Sequence, residues 1–322
     1  MPTETKDQIL DLVDRTLSGH KFSIAKLISL FENTKPELIE IKNQIIDYLK
    51  QKSSHRGFFV GITGTPGVGK STLTGKLALK VLEVSSESKV AILAIDPSSE
   101  ISGGALLGDR TRVRLPIYEE RIYFRSQAND RELGGLSKHT FSVSRVLFYL
   151  FDWIFIETVG IGQSEIEIQH IADTILLVLQ PLTGDQIQFM KAGIMEIPNA
   201  FVINKWDQEK EAKKTYYTLK STLSFVRPEM EKLPIFRVSA QKGLGLEEVL
   251  EYLIEEKSKK TNFRLEEKEA YYFEKWVRTQ YGLKGLEILK NFGGASLFIK
   301  ETGSFDLALQ KFSKIEYVIQ YP

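Results

Sequence analysis

The sequence predicts an α/β fold in which a mostly parallel central sheet is flanked by helical segments at both ends of the chain. Short apolar runs, typical of parallel strands covered on both faces, alternate with amphipathic helical stretches over residues 53–258. A length of 322 residues accommodates one large domain with helical additions. We therefore predict an N-terminal helical extension (1–52), a central α/β domain (53–258) and a C-terminal helical arm (259–322).

The composition limits the settings and partners of the chain. The formal net charge is +1, so no broad basic field favours nucleic acid as the main partner. Cysteine is absent, which excludes disulfides and thiolate metal sites and is typical of a reducing compartment. The first residues are polar, unlike a signal peptide, and no apolar run approaches the ~18–20 residues that cross a bilayer. These observations predict a soluble, cytoplasmic protein that binds neither nucleic acid nor a membrane.

A glycine-rich segment after the first apolar run carries the strongest chemical signal. It matches the phosphate-loop pattern G-x-x-x-x-G-K-[ST] and lies between a predicted strand (58–63) and a predicted helix (70–84). Backbone N–H groups and the helix dipole would surround the phosphates of a nucleoside triphosphate. Lys70 would reach the β- and γ-phosphates, and the Ser71 hydroxyl would ligate Mg²⁺. The predicted nucleotide-binding residues here are Gly64, Thr65, Pro66, Gly67, Val68, Gly69, Lys70, Ser71 and Thr72.

Carboxylates at the ends of two predicted strands indicate a magnesium-dependent reaction. Asp96 ends one apolar run and Glu157 ends another, the placement of acids that hold the Mg²⁺ shell in nucleotide hydrolases. Asp109 could position the ion directly or through water, although a helix cap for Asp96 and simple solvation for Asp109 are competing explanations. Gln163 is a weaker candidate to position the attacking water. The predicted metal ligands are Ser71, Asp96, Asp109 and Glu157, and the predicted catalytic residues are Lys70, Glu157, Gln163 and Asp109.

Two later segments predict that the nucleotide carries guanine. Residues 204–207 read N-K-x-D directly after an apolar run. The Asp207 carboxylate would accept hydrogen bonds from the N1–H and 2-amino groups of guanine, while Lys205 would pack over the base and Asn204 would tie loops together. Adenine would leave that carboxylate unpaired, a mismatch that can cost ~10⁴-fold in discrimination. The last predicted nucleotide-binding residues are Ser239, Ala240 and Gln241, in a loop whose backbone amides would reach guanine O6.

The sequence in and around these motifs resembles that of the MeaB/ArgK family, the methylmalonyl-CoA mutase-associated GTPases. The segments that carry the resemblance are D-P-S-S (96–99), G-D-R-T-R (108–112) and E-T-V-G-I-G-Q-S-E (157–165). The resemblance implies a P-loop GTPase domain that uses Mg²⁺ with GTP or GDP, a homodimer formed through the C-terminal arm, and no cobalamin bound directly. Trp206 departs from the family, which usually carries a small residue there.

The resemblance also implies a biological role. The protein would be a slow GTPase that acts as a chaperone of an adenosylcobalamin-dependent acyl-CoA mutase, with GTP hydrolysis gating cofactor loading and protecting the mutase. The predicted helix over residues 184–196 would begin with the family's extra switch loop, with Asp185 and Lys191 at its responsive positions.

Two other functions stay open at this point. A nickel-insertion GTPase shares the general architecture, but such proteins hold nickel through His or Cys clusters, and this chain has no Cys and four scattered His. A kinase of a transport-system protein would need a base that activates the phosphate acceptor. The sequence indicates no such base beyond the hydrolysis motifs.

Overall fold

The computed structural model describes residues 6–96, 115–116, 119–128, 138–158, 167–181, 193–226, 232–260 and 265–320. Its α-helices in these ranges are α1 (Lys6–Leu17), α2 (Lys21–Glu32), α3 (Ile39–Lys52), α4 (Lys70–Val84), α5 (Lys138–Leu150), α6 (Glu209–Val226), α7 (Leu246–Lys259), α8 (Leu265–Asn291), α9 (Ala295–Thr302) and α10 (Phe305–Gln320). Its strands are β1 (Phe58–Thr63), β2 (Val90–Asp96), β3 (Ile122–Ala128), β4 (Trp153–Glu157), β5 (Thr174–Leu179), β6 (Ala200–Ile203) and β7 (Ile235–Arg237).

The described strands form one sheet in the order β3-β2-β4-β1-β5-β6-β7, and each adjacent pair is parallel. Strands β1, β4, β5 and β6 are buried along their whole length, which explains their continuous apolar sequences. The predicted α/β fold is therefore confirmed. Because parallel strands end at the same edge of a sheet, the loops that follow β1, β4, β5, β6 and β7 lie along one edge. The predicted site residues lie at or after the ends of these strands, except Asp96, which ends β2, and Asp109, which follows β2 in the sequence.

The chain divides into two compact units. One comprises residues 57–137 and 151–261, and it contains the sheet with α4, α6 and α7. The other comprises residues 1–56, 138–150 and 262–322, and its described elements are helical. Within this helical unit, α5 from the middle of the chain packs against α2 and α3. The domain boundaries predicted after residues 52 and 258 stay predictions.

Aromatic rings and a buried ion group hold the helical unit together. The side chain of Arg145 is 1% exposed and donates hydrogen bonds to Glu269 at 2.7 Å and to Asp306 at 2.6 Å. Buried charges need such pairing, because an unpaired charge in a protein interior is strongly destabilising. Beside this group lies a cluster of buried rings, formed by Phe273, Phe298, Phe305 and Phe312.

Two local predictions differ from the structure. Gly193–Glu196 forms a 3₁₀ helix instead of the end of the predicted α-helix over residues 184–196. The rest of that prediction, with Asp185 and Lys191, lies outside the described residues. The second difference lies in the predicted helical arm (259–322), where α8 is kinked at Gly282, whose φ is 64°. In the described part of the chain, no helix combines the length and the apolar character that crossing a membrane requires.

Candidate nucleotide-binding site

The phosphate loop joins the end of β1 to the start of α4, as predicted. Gly64 has φ 144° and Gly69 has φ 93°, which is the backbone region that favours glycine. A Cβ atom on Gly64 would lie 2.2 Å from the carbonyl oxygen of Val178, and one on Gly69 would lie 2.4 Å from Nδ2 of Asn204. At these two positions the loop therefore needs glycine both for its conformation and for its close packing.

Lys70 lies in the first turn of α4 with only 6% of its surface exposed. Its Nζ donates hydrogen bonds to the carbonyl oxygens of Gly64 at 2.7 Å and of Thr65 at 3.2 Å. The ammonium group therefore lies over the loop that would hold the phosphates. A phosphate oxygen would be a stronger acceptor for this ammonium than a neutral carbonyl, because charge-assisted hydrogen bonds are roughly twice as strong.

The predicted metal ligands Ser71 and Glu157 lie in direct contact. The Ser71 hydroxyl donates a hydrogen bond of 2.6 Å to Oε1 of Glu157, whose residue is 4% exposed. Oxygen ligands of this kind suit Mg²⁺, so the donor set fits the ion that the sequence predicts. Asp96 ends β2 beside β4, where Ala94 is in register with Glu157. The side chain of Asp96 and all of Asp109 and Gln163 lie outside the described residues.

Asn204 links the phosphate loop to the loop after β7. Its Nδ2 donates to the carbonyl oxygen of Val68 at 2.8 Å, and its Oδ1 accepts from the backbone N–H of Ala240 at 3.0 Å. The residue is 4% exposed. These two hydrogen bonds connect the loops, as the sequence predicts for Asn204.

Lys205 is held at two points. Its Nζ donates to the carbonyl oxygen of Gly67 at 2.9 Å and also to Oε1 of Gln180. Its own φ is 57°, which is uncommon for a residue with a side chain. The sequence reasoning missed Gln180. The available signal was its position directly after β5, at the same edge of the sheet as the predicted site.

Asp207 is held by the loop after β7. The Ser239 hydroxyl donates to Oδ1 of Asp207 at 2.6 Å, and Nζ of Lys242 lies 3.8 Å from Oδ2. The hydrogen bond from Ser239 holds the pKa of Asp207 below its ordinary value, against the opposing effect of burial, and a backbone hydrogen bond and the charge of Lys242 add smaller contributions. Asp207 therefore stays an ionised, acceptor-only group, which is what two guanine N–H donors require. Gln241, the last of the predicted nucleotide-binding residues, is exposed.

The parallel sheet, the phosphate loop before α4 and the N-K-x-D segment after β6 define a P-loop GTPase. The particular family follows from the sequence: the profile of the family described as "Methylmalonyl Co-A mutase-associated GTPase MeaB" matches residues 24–284, and the chain belongs to this family. The resemblance stated from the motifs is confirmed.

Individual relatives agree with this assignment. A Pyrococcus horikoshii protein that carries the name GTPase is 40% identical over 276 residues, which cover 84% of each chain. A Caenorhabditis elegans protein named methylmalonic aciduria type A homolog, mitochondrial, is 34% identical over 230 residues, or 67% of this chain and 57% of that protein. The crystal structure of LAO/AO transport system kinase matches with a TM-score of 0.63 at 22% identity, covering 98% of this chain and 99% of that one. That likeness shows the fold.

Replacing Gln180 with leucine is expected to weaken the binding of GDP and GTP about tenfold, because the Lys205 ammonium loses one of its acceptors. Titration with a fluorescent GDP analogue would measure the change. Gln180→Glu is the matched control, since it keeps an acceptor at the same position and should keep the affinity. Wild-type affinity in Gln180→Leu would show that this contact does not contribute to the site.

Proposed function

We propose that this protein is a GTP-hydrolysing chaperone of an adenosylcobalamin-dependent acyl-CoA mutase of the methylmalonyl-CoA mutase type, working as a homodimer. GTP hydrolysis gates loading of the mutase with its cofactor and protects the mutase. The observation that carries the proposal is the joined site, in which Asn204 connects the phosphate loop to the base-reading loops by hydrogen bonds of 2.8 and 3.0 Å. Because these hydrogen bonds join the loops of the site, the loops can respond together to the bound nucleotide.

In the proposed site each described residue has a separate task. Lys70 turns from the loop carbonyls to the β- and γ-phosphate oxygens, and the backbone N–H groups of the loop bind the same phosphates. The Asp207 carboxylate binds the N1–H and 2-amino groups of guanine, and the stem of Lys205 covers the base. Ser239 orients Asp207 through its 2.6 Å hydrogen bond.

Mg²⁺ is the ion that the donor set fits. Ser71 and Glu157 would hold it, with Asp96 and Asp109 as further proposed ligands, directly or through water. When bound, the ion neutralises charge that develops on the phosphate oxygens. Gln163 is proposed to orient the attacking water, and Asp185 and Lys191 are proposed to be the responsive residues of the switch loop.

The choice of client rests on the family and on relatives. The family description couples the GTPase to methylmalonyl-CoA mutase, and Caenorhabditis relatives carry the name methylmalonic aciduria type A homolog. The absence of Cys and the presence of only four His in the sequence give no support to a nickel-insertion role.

The test is capture of the client from native lysate with the protein as bait. Bait loaded with a non-hydrolysable GTP analogue should recover a cobalamin-dependent mutase, and recovery should fall when Lys70→Ala is the bait. A GTP-dependent rise in cofactor loading of the captured mutase would support the gating role. Recovery of a nickel enzyme or a transporter component, without any cobalamin mutase, would overturn the proposal.

A further inference from the structure

Trp206, the bulky residue inside the N-K-x-D segment, contacts an arginine and a second aromatic ring. The guanidinium carbon of Arg237 lies 5.2 Å from the centroid of the Trp206 ring and 4.7 Å from that of Tyr216. The two rings meet edge to face, with centroids 6.4 Å apart. Both rings also pack against the buried cluster that contains Leu177 and Phe201. We call Arg237, Trp206 and Tyr216 the Arg237 stack.

The Arg237 stack joins three elements behind the base-reading residues. Trp206 immediately precedes Asp207 in the loop after β6, and Tyr216 lies on α6. Arg237 is the last residue of β7, two positions before Ser239. The backbone N–H of Trp206 donates to the carbonyl oxygen of Val238 at 2.9 Å. The stack therefore connects the loop that carries Asp207 to the loop that carries Ser239.

We propose that Arg237 is a positioning residue for base recognition and helps to set the preference for a purine that bears a 2-amino group. By holding Trp206 beside β7, Arg237 fixes the Asp207 carboxylate at its hydrogen-bonding distance from Ser239. This inference rests on the proposed function, because it assigns base reading to Asp207. It goes further by explaining the bulky residue in the motif, because the Trp206 ring positions the neighbouring Asp207.

The physical reason is preorganisation. A cation that lies over the faces of aromatic rings is attracted to them and restrains both partners. A loop fixed before binding loses less freedom when the ligand arrives. If the Asp207 carboxylate is less restrained, its hydrogen bond with the 2-amino group weakens as well as its hydrogen bond with N1–H. Hypoxanthine has N1–H and lacks the 2-amino group, so its binding depends on only one of these bonds.

The test compares the dissociation constants of GDP and IDP for the full chain. Arg237→Ala is expected to weaken GDP binding about fivefold and IDP binding by clearly less. The ratio of the IDP to the GDP dissociation constant, which measures the GDP preference, should therefore fall. Trp206→Ala should repeat this result, and Trp206→Phe should largely restore the preference because it keeps a ring. Arg237→Lys should lie between Arg237→Ala and wild type, since an ammonium cannot stack as a planar guanidinium does.

The outcomes separate this inference from the function on which it rests. An unchanged preference in Arg237→Ala, or an equal loss for GDP and IDP, would overturn the positioning role. Asp207→Asn in the same assay is the reference: if it removes the preference while Arg237→Ala does not, only the positioning role fails. If Asp207→Asn also keeps the preference, the base-reading assignment itself fails. If Arg237→Ala does not fold, the ratio of the IDP and GDP dissociation constants in Arg237→Lys and Trp206→Phe tests the positioning role instead.

Discussion

Replacing Lys70 with alanine is expected to abolish measurable GTP hydrolysis, a loss of about 10³-fold or more in kcat. Lys70 is 6% exposed and supplies the buried ammonium of the phosphate loop, where its Nζ lies 2.7 Å from the carbonyl oxygen of Gly64. Without it, the charge that builds on the β- and γ-phosphates in the transition state loses the buried ammonium that would stabilise it. Turnover would be measured as phosphate release with GTP in excess.

The matched control for this experiment is Lys76→Ala. Lys76 lies on the same helix but is exposed, so its removal takes away one positive charge from α4 without touching the phosphate loop. We expect near wild-type turnover in Lys76→Ala. A folded Lys70→Ala protein that hydrolyses GTP at the wild-type rate would contradict the central site assignment.

The phosphate loop was predictable from the sequence because it is local. A strand, a glycine-rich turn and a helix start occupy consecutive residues from Phe58 to Val84, and each has a recognisable pattern. The parallel sheet was predictable for a similar reason, since buried parallel strands are apolar along their whole length. The predicted site residues that the structure describes lie at or after the ends of these strands.

The contacts that complete the site were not predictable in the same way. Gln180 and Lys205 are 25 positions apart and meet because β5 and β6 are neighbours in the sheet. Strand order and register are set by long-range packing, which a periodic pattern does not specify. The Arg237 stack is of the same kind, because its members come from a loop, a helix and a strand. The kink at Gly282 was missed for another reason: a single glycine in a helical pattern is tolerated and does not by itself predict a bend.

Replacing Asp207 with asparagine is expected to shift the nucleotide preference from GTP towards xanthosine triphosphate. In the proposed site, the Asp207 carboxylate, held by Ser239 at 2.6 Å, would accept hydrogen bonds from two guanine donors. Asparagine keeps one acceptor and adds an N–H₂ donor, which faces the 2-amino group of guanine unfavourably but suits the 2-oxo group of xanthine. Because a mismatch at a site built for hydrogen bonding can cost ~10⁴-fold, the ratio of the two affinities should change by several orders of magnitude.

The control for this exchange is Lys242→Ala, which removes the other partner of the same carboxylate. The Lys242 side chain is 61% exposed and its Nζ lies 3.8 Å from Asp207, so the ion pair is a surface pair of small energetic weight. Lys242→Ala should therefore keep the guanine preference, with at most a few-fold change in affinity. Competition binding of GTP and xanthosine triphosphate would measure both variants. Unchanged GTP affinity in Asp207→Asn would sink the guanine-reading assignment, because no other described side chain of the N-K-x-D segment offers a carboxylate to the base.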